Sequence, residues 1–448
     1  MSNHKRISLP RVTVSENRRF LVTEHGQPFF WMGDTAWELF HRLKREEAEV
    51  FFANRQANGF TVIQAVALAE LDGLNTANRE GRTPFIDNDP GYPNDAYFRL
   101  LDNFIEMAAA HQLYIALLPT WGDKVAHAWG DGPLVFNQEN IYRYGLFLGR
   151  RYQKKTNLIW VIGGDRPVTY TGMDGQTYDD IELYRALARG IREGIGDVPA
   201  VFTFHPCGGV SSSAWLQNEP WLDMHMMQSG HGGGHDVPVW EMIEHDYQLD
   251  PPRPVVDGEP NYEDHPVNPW PVWDPGNGYY TDYDVRKQLY RSVFAGACGV
   301  TYGHHSVWQM FETWRAPINF PCVDWHEALD RPGARQVKYL RALMESRAYL
   351  TRIPDQTLLA SEPGERGQHV QATRDAAGQY AMLYLPGKFA VRVNLDRLSG
   401  PQVKAQWFDP RLGVYLPVGS YPASGVQEFT PPGYGPDWVL VLDSTPQS

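Results

Sequence analysis

The chain has 448 residues, enough for one large domain with a smaller companion. Its 53 acidic against 40 basic residues give a formal charge of −13, which argues against a nucleic-acid or anionic-membrane partner. Neither the opening MSNHKRISLPRVTVSENRRF nor any later stretch reads as a secretory h-region or membrane span, so the expected location is the cytoplasm.

After a β-like entry at 12–23, apolar strand-like runs alternate with amphipathic stretches, the signature of a parallel α/β domain. FFWMGD (29–34) precedes a helix near 44–58, and FTVIQAVAL (60–68) leads through a Gly/Asn/Asp/Pro-rich loop to a helix near 96–111. YIALLPTW (114–121) is followed by a helix near 141–154, and LIWVIGGD (158–165) by one near 179–194. AVFTFHP (200–206), DMHMMQSG (223–230), PVVDGEP (254–260) and GVTYGHH (299–305) supply four further strands. Helices are expected near 239–248, 283–297 and 334–346, with a poor helical signal between the fifth and sixth strands.

Eight such units predict a (β/α)₈ TIM barrel with enlarged loops, assigned to residues 1–349. An open doubly wound sheet is the rival, but no G-x-G-x-x-G or Walker loop follows the first strand. From 350 to 448 the runs QYAMLYLP, FAVRVNL, VKAQWFDP, GVYLPVG and DWVLVLD are short, alternating and punctuated by turn residues. They predict a small antiparallel β-sandwich, with a structural role expected ahead of sugar binding. Three widely spaced cysteines, Cys207, Cys298 and Cys322, form no disulfide framework and read as buried free thiols in a reducing compartment.

Composition carries one anomaly. With 15 Trp and 23 Tyr the chain is 13% aromatic, and many of these rings sit beside Gly, Pro, Asp and His. PTWGDKVAHAWGDGP (119–133) and NPWPVWDPGNGYY (268–280) are examples, and aromatic-lined loops suit sugar rings, whose C–H faces are apolar.

In a barrel, polar residues at the carboxyl ends of the strands carry the chemistry. Glycoside hydrolysis needs two carboxyl groups, one to protonate the leaving oxygen and one to attack the anomeric carbon or activate water. Asp165 and Glu259 form the best pair. Each follows an apolar strand and precedes a proline-containing turn, and their separation of 94 residues is about three βα units at roughly 31 residues each. Asp34, Gln64, His205, Gln228 and His304 are candidate hydroxyl ligands, and Trp37, Trp121 and Trp308 candidate ring platforms. Glu70 is assigned either to sugar binding or to pinning its loop, and Glu263 is the fallback nucleophile. For Asp165 to hold a proton near neutrality, Arg166 is expected to point away from it.

The arrangement resembles the clan of retaining barrel glycosidases whose acid/base ends the fourth strand and whose nucleophile ends the seventh. FFWMGDTAWELF (29–40), ALAELDGLNTANREGRTPF (67–85), WVIGGDRP (160–167), VVDGEPNYE (255–263) and the closing DWVLVLD give nearly the whole chain a closer resemblance. They resemble the apiosidase-like family, glycoside hydrolase family 140, with its C-terminal collagen-binding-type β-domain. The resemblance implies retention through a covalent glycosyl-enzyme, with Asp165 as acid/base, Glu259 as nucleophile, and a β-linked furanoside such as an apioside as substrate. Where the wider clan has Asn-Glu-Pro, this chain has Gly164-Asp165-Arg166-Pro167, which also points away from an ordinary pyranoside.

Two other classes fit less well. A metal-dependent hydrolase would use HGGGH (231–235) and His304-His305, but the first strand ends without H-x-H, so no metal or other cofactor is expected. A non-catalytic carbohydrate-binding barrel would be expected to have lost one of the two carboxylates, and both are present.

Overall fold

The computed structural model describes residues 8–172, 174–267 and 272–445. Eight parallel strands follow one another in the chain: β1 (Trp31–Thr35), β2 (Val62–Val66), β3 (Tyr114–Leu118), β4 (Leu158–Gly163), β5 (Phe202–His205), β6 (His225–Gln228), β7 (Val255–Asp257) and β8 (Gly299–Tyr302). They curl in the order β5-β4-β3-β2-β1-β8-β7-β6, with the short strand Val210–Ser211 added antiparallel to β6. Across the seam, Asp223 and Met224 N–H donate to the Phe202 carbonyl at 2.9 and 3.3 Å, and the Thr203 hydroxyl donates to the Met224 carbonyl. Every residue of the eight strands is buried, which is why they read as apolar runs rather than alternating ones. The fold is a TIM-type barrel with a C-terminal antiparallel domain.

Local signals explain the flanking helices. Asn94 caps Asp95–Ala110 by accepting from Ala96 N–H, and Asn137 caps Gln138–Tyr152 in a reciprocal pair with Asn140. In Ile181–Ile195 the buried Tyr184, Leu187, Ala188, Ile191 and Ile195 form one stripe, and Gly196 at φ 67° ends it. Between β5 and β6 only one helical turn forms, Ser213–Leu216, in keeping with the weak signal there.

The C-terminal domain has a six-stranded antiparallel sheet, in spatial order Arg352–Pro354, Gln371–Asp375, Tyr380–Leu385, Trp438–Thr445, Gln402–Asp409 and Val414–Pro422. The pair Val391–Asn394 and Val426–Phe429 completes the core with Val391, Val393 and Phe429 against Leu383, Trp407, Trp438 and Leu440. Gln371–Asp375 escapes sequence reading because its inward side chains are polar. Gln371 is buried by donating to Glu244 of the barrel, and Asp375 by accepting from Thr351.

The domains share the helix Asp282–Phe294, buried throughout residues 284–294. Tyr290 stacks on Tyr384 at 5.1 Å, and Arg291 donates to the carbonyls of Arg366, Gly367 and His369. Arg286 grips Asp437 with two bonds, Nε–Oδ2 at 3.0 Å and Nη2–Oδ1 at 2.9 Å, and Tyr384 donates to the same carboxylate. Asp437→Ala is expected to cost about 3 kcal/mol, read as a drop in thermal midpoint, because the buried Arg286 keeps only Asp282 and Gln336 as partners.

Among the described residues no helix is long and apolar enough to cross a membrane. The three cysteines are unpaired, but only Cys298 is buried. Cys207 is half-buried and Cys322 exposed, correcting the expectation of three buried thiols. Residues 268–271 of the second aromatic loop lie outside the described residues.

Candidate active site

β4 ends in three residues of positive φ: Gly163 at 88°, Gly164 at 136° and Asp165 at 51°. A Cβ on Gly164 would fall 2.9 Å from Gly122 N and 3.0 Å from the Trp121 ring, so backbone approach demands glycine here. The turn is tied down by Gly164 N–H to His205 O and Gly122 N–H to Gly164 O, both 3.0 Å. Asp165 carries a left-handed conformation that costs about 1 kcal/mol in a non-glycine residue. Its side chain stands half-buried at the barrel mouth.

Arg166 turns inward, contrary to expectation. Its buried guanidinium donates from Nη1 to Asp165 Oδ2 and to the Asp165 carbonyl, each at 2.8 Å, and from Nε to Trp129 O. Nη2 lies 3.3 Å from Glu70 Oε1. Two distant glycines make the room: a Cβ on Gly122 would sit 2.5 Å from Arg166 Cγ, and one on Gly130 would sit 2.7 Å from Nη2.

Glu259 leaves β7 on a turn fixed from below. Gly258 N–H donates to Met227 O and Gly230 N–H to Glu259 O, while Gln64 Nε2 donates to Gly258 O at 2.7 Å. The buried Asp257 carboxylate accepts from the Ser229 hydroxyl at 2.6 Å and from the Ser229 and Glu259 N–H groups. Burial lifts Asp257 to about 6 against these bonds. His231 Nε2 lies 3.2 Å from Glu259 Oε1, and its ring packs on Tyr262 at 4.2 Å.

One imidazole joins the two turns. His205, at the end of β5, accepts the Asp165 backbone N–H on Nδ1 at 3.3 Å and presents Nε2 3.0 Å from Glu259 Oε2, though off the line of a good hydrogen bond. With Nδ1 accepting, the neutral ring carries its proton on Nε2, toward the carboxylate. Trp37 and Trp121 pack at 5.2 and 5.8 Å from this ring and at 5.1 Å from each other.

The electrostatics drive the two carboxyl groups apart. Burial raises Asp165, opposed by Arg166 and reinforced by the charge of Glu259, with His205 and a Gln228 hydrogen bond lowering it. Burial raises Glu259 as well, but the His205 and His231 imidazoles beside it outweigh that effect and hold the group at about 2. Glu70 is lifted to about 7 by burial and by the negative charges of Asp165 and Asp123, against Arg166. Lys124 donates to Asp123 at 2.8 Å and to the Glu70 carbonyl.

The cluster therefore sets three carboxyls, Glu70, Asp123 and Asp165, against two cations, Arg166 and Lys124. Glu70 offsets Arg166 and so favours the protonated form of Asp165. Glu70→Gln is expected to lower the Asp165 pKa and pull the alkaline limb of the kcat/KM profile down by about half to one pH unit, leaving the acid limb in place. A pH–rate profile checks this.

Gln64, Glu70, Trp37, Trp121, His205 and Gln228 gather with Asp165 and Glu259 around the mouth. The other three substrate-site candidates and the fallback nucleophile are engaged elsewhere. Asp34 is buried in a 2.6 Å pair with Arg55, with burial raising it to about 6 against that partner. His304 caps His305–Trp308 through Nδ1 and contacts Asp264 through Nε2, and Trp308 donates to His305. Glu263 is buried against the Tyr302 hydroxyl and Gly333 N–H. The two ends of HGGGH diverge to Glu259 and Asp284, and no group of three or more His, Cys, Asp or Glu among the described residues is arranged to hold a metal ion.

His231, Arg166 and Trp129 join the site beyond the candidates named from sequence. His231 and Arg166 follow strand ends, and Trp129 lies in the first aromatic loop, but their partners are set by loop packing. Several buried polar atoms here have no protein partner: Gln64 Oε1, Trp121 Nε1, Gln228 Oε1 and His231 Nδ1. Such groups suit a ligand dense in hydroxyls.

Barrel-mouth position, paired carboxyls and buried tryptophans together define a glycoside hydrolase. The profile described as "Apiosidase-like, catalytic domain" matches residues 15–351, and "Putative collagen-binding domain of a collagenase" matches 353–443. The chain belongs to the apiosidase-like family. A solved glycoside hydrolase is 34% identical, with a TM-score of 0.87 over 97% of each chain. A Bacteroides vulgatus structure described as a glycoside hydrolase of family 5 is 31% identical, with a TM-score of 0.85 over 97% of this chain and 93% of that one. No curated protein sequence matches the chain.

Proposed function

We propose that this glycoside hydrolase cleaves a β-linked furanoside, apioside-like, from a small glycoside or oligosaccharide by double displacement. Asp165 protonates the leaving oxygen while Glu259 attacks the anomeric carbon, forming a glycosyl-enzyme. Asp165, now a carboxylate, then takes a proton from the water that releases the sugar. The observation that carries this reading is the opposite poise of two carboxyl groups joined by one imidazole. Asp165 is pushed toward its acid form, and Glu259 is held ionised.

Consumption of the Glu259 charge in the first step removes what helps Asp165 keep its proton, so the acid becomes a base when a base is needed. Gln64, Gln228 and His231 are the hydroxyl ligands, and Trp37 and Trp121 floor the glycone pocket. Asp165 is one methylene shorter than the glutamate common in the wider clan, and Gly164 brings no side chain to the sugar. Both features favour a furanose ring. The unpaired cysteines accord with work in the cytoplasm on imported glycosides.

The test is a screen of aryl glycosides of apiose, arabinose, galactose and xylose, with NMR of the first-formed anomer. Hydrolysis of the apioside with retained configuration is expected. An inverted product removes the double displacement, preference for a pyranoside removes the furanoside assignment, and no turnover on any of the four removes the proposed activity.

A further inference from the structure

The loops after β3 and β4 build an exposed aromatic feature that lies outside the groups assigned to the glycone. Trp37 and Trp121 are each 2% exposed, whereas Trp129 on the same side of the barrel is 44% exposed. Its ring lies on the Arg166 guanidinium, 4.6 Å from the centroid, and its Nε1–H donates to Asp165 Oδ2 at 3.3 Å. Two residues earlier, His127 stacks on Tyr178 at 4.6 Å and 10°, and Tyr178 stacks on Tyr170 at 5.5 Å and 20°. The His127 N–H donates to the Tyr170 hydroxyl, locking the β3 loop to the hairpin Thr169–Thr171/Thr177–Asp179 that follows Asp165.

We infer that Trp129 is the platform for the leaving group, a flat aryl or sugar ring stacked beside the acid. The inference rests on Asp165 being the acid. The acid must reach the oxygen between glycone and leaving group, so whatever flanks it away from Glu259 meets the leaving group. Arg166 and Trp129 both donate to Oδ2, which turns the carboxyl so that Oδ1 is the oxygen clear of these two donors. An indole backed by a guanidinium is held flat, and its exposed surface offers the stacking face that apolar C–H or π faces prefer.

The test compares a 4-nitrophenyl glycoside with the matching glycosyl fluoride, which has no ring on the leaving side, using whichever sugar is turned over. Trp129→Ala is expected to lower kcat/KM for the aryl glycoside by about tenfold more than for the fluoride, and Trp129→Phe to restore most of the difference. Equal losses on both substrates, or a Phe variant no better than Ala, would overturn the platform. A second readout needs no turnover and so separates this inference from the proposed activity: saturation-transfer NMR with 4-nitrophenol. Signal transfer to the phenol ring is expected in the unaltered protein and in Trp129→Phe, with loss in Trp129→Ala. Undiminished transfer in the alanine variant, or none in the unaltered protein, overturns the inference.

Discussion

Glu259→Ala is expected to abolish hydrolysis, lowering kcat by roughly 10⁴-fold or more, because the proposed nucleophile is gone. Tm should fall as well, because a carboxyl group held at about 2 in the folded protein contributes stability at neutral pH and its loss leaves His205 and His231 without their acceptor. The distinguishing result comes from added azide with an aryl glycoside of a good leaving group. The small anion attacks from the face Glu259 vacates, the bond between the anomeric carbon and the aryl ether oxygen breaks, the phenol departs with the proton of Asp165, and a glycosyl azide of inverted configuration accumulates. Activity within tenfold of the unaltered enzyme would move the nucleophile to another residue.

Asp165→Ala should behave differently. Loss of the proposed general acid should cost about 10²–10⁴-fold on glycosides whose leaving group needs a proton, and far less on a dinitrophenyl glycoside that leaves unaided. Here azide attacks the glycosyl-enzyme on Glu259, so the glycosyl azide keeps the substrate's configuration. Because residue 165 sits at φ 51°, alanine adds backbone strain of about 1 kcal/mol, and Asp165→Asn, which tolerates that conformation, is the companion variant. Uniform loss across all leaving groups in both variants would argue against Asp165 as the acid.

The strands were legible because each is buried on both faces and must be apolar along its length. LIWVIG and YIALL can be little else in a chain whose amphipathic helices alternate with them. The missed pieces follow other rules. Gln371–Asp375 buries polar side chains, Gln371 against Glu244 of the barrel and Asp375 against Thr351, and the hairpin after Asp165 is held by tyrosine stacking rather than by a core. At the site, strand ends can be read from position, but contacts between loops cannot. Arg166 swings inward because Gly122 and Gly130 lack side chains, and no pattern around Arg166 itself records that. His231 reaches Glu259 through a glycine-rich segment whose spacing resembled a metal motif. Asp34, His304 and Trp308 have the same residue types and strand-end positions as the others, yet Arg55, Asp264 and His305 claim them.

The helix Asp282–Phe294 gives the two-domain arrangement a thermodynamic meaning. Arg286, Lys287, Gln288 and Arg291 lie on one segment and are all buried, a composition no isolated barrel could leave uncovered on its outer wall. Removing the C-terminal sheet would strip Asp437 from Arg286 and three carbonyls from Arg291, and would hydrate the element that runs directly into β8. Melting of one domain therefore dismantles the other, and calorimetry should record a single cooperative transition rather than two. The C-terminal sheet is in this sense the outer layer that this side of the barrel lacks.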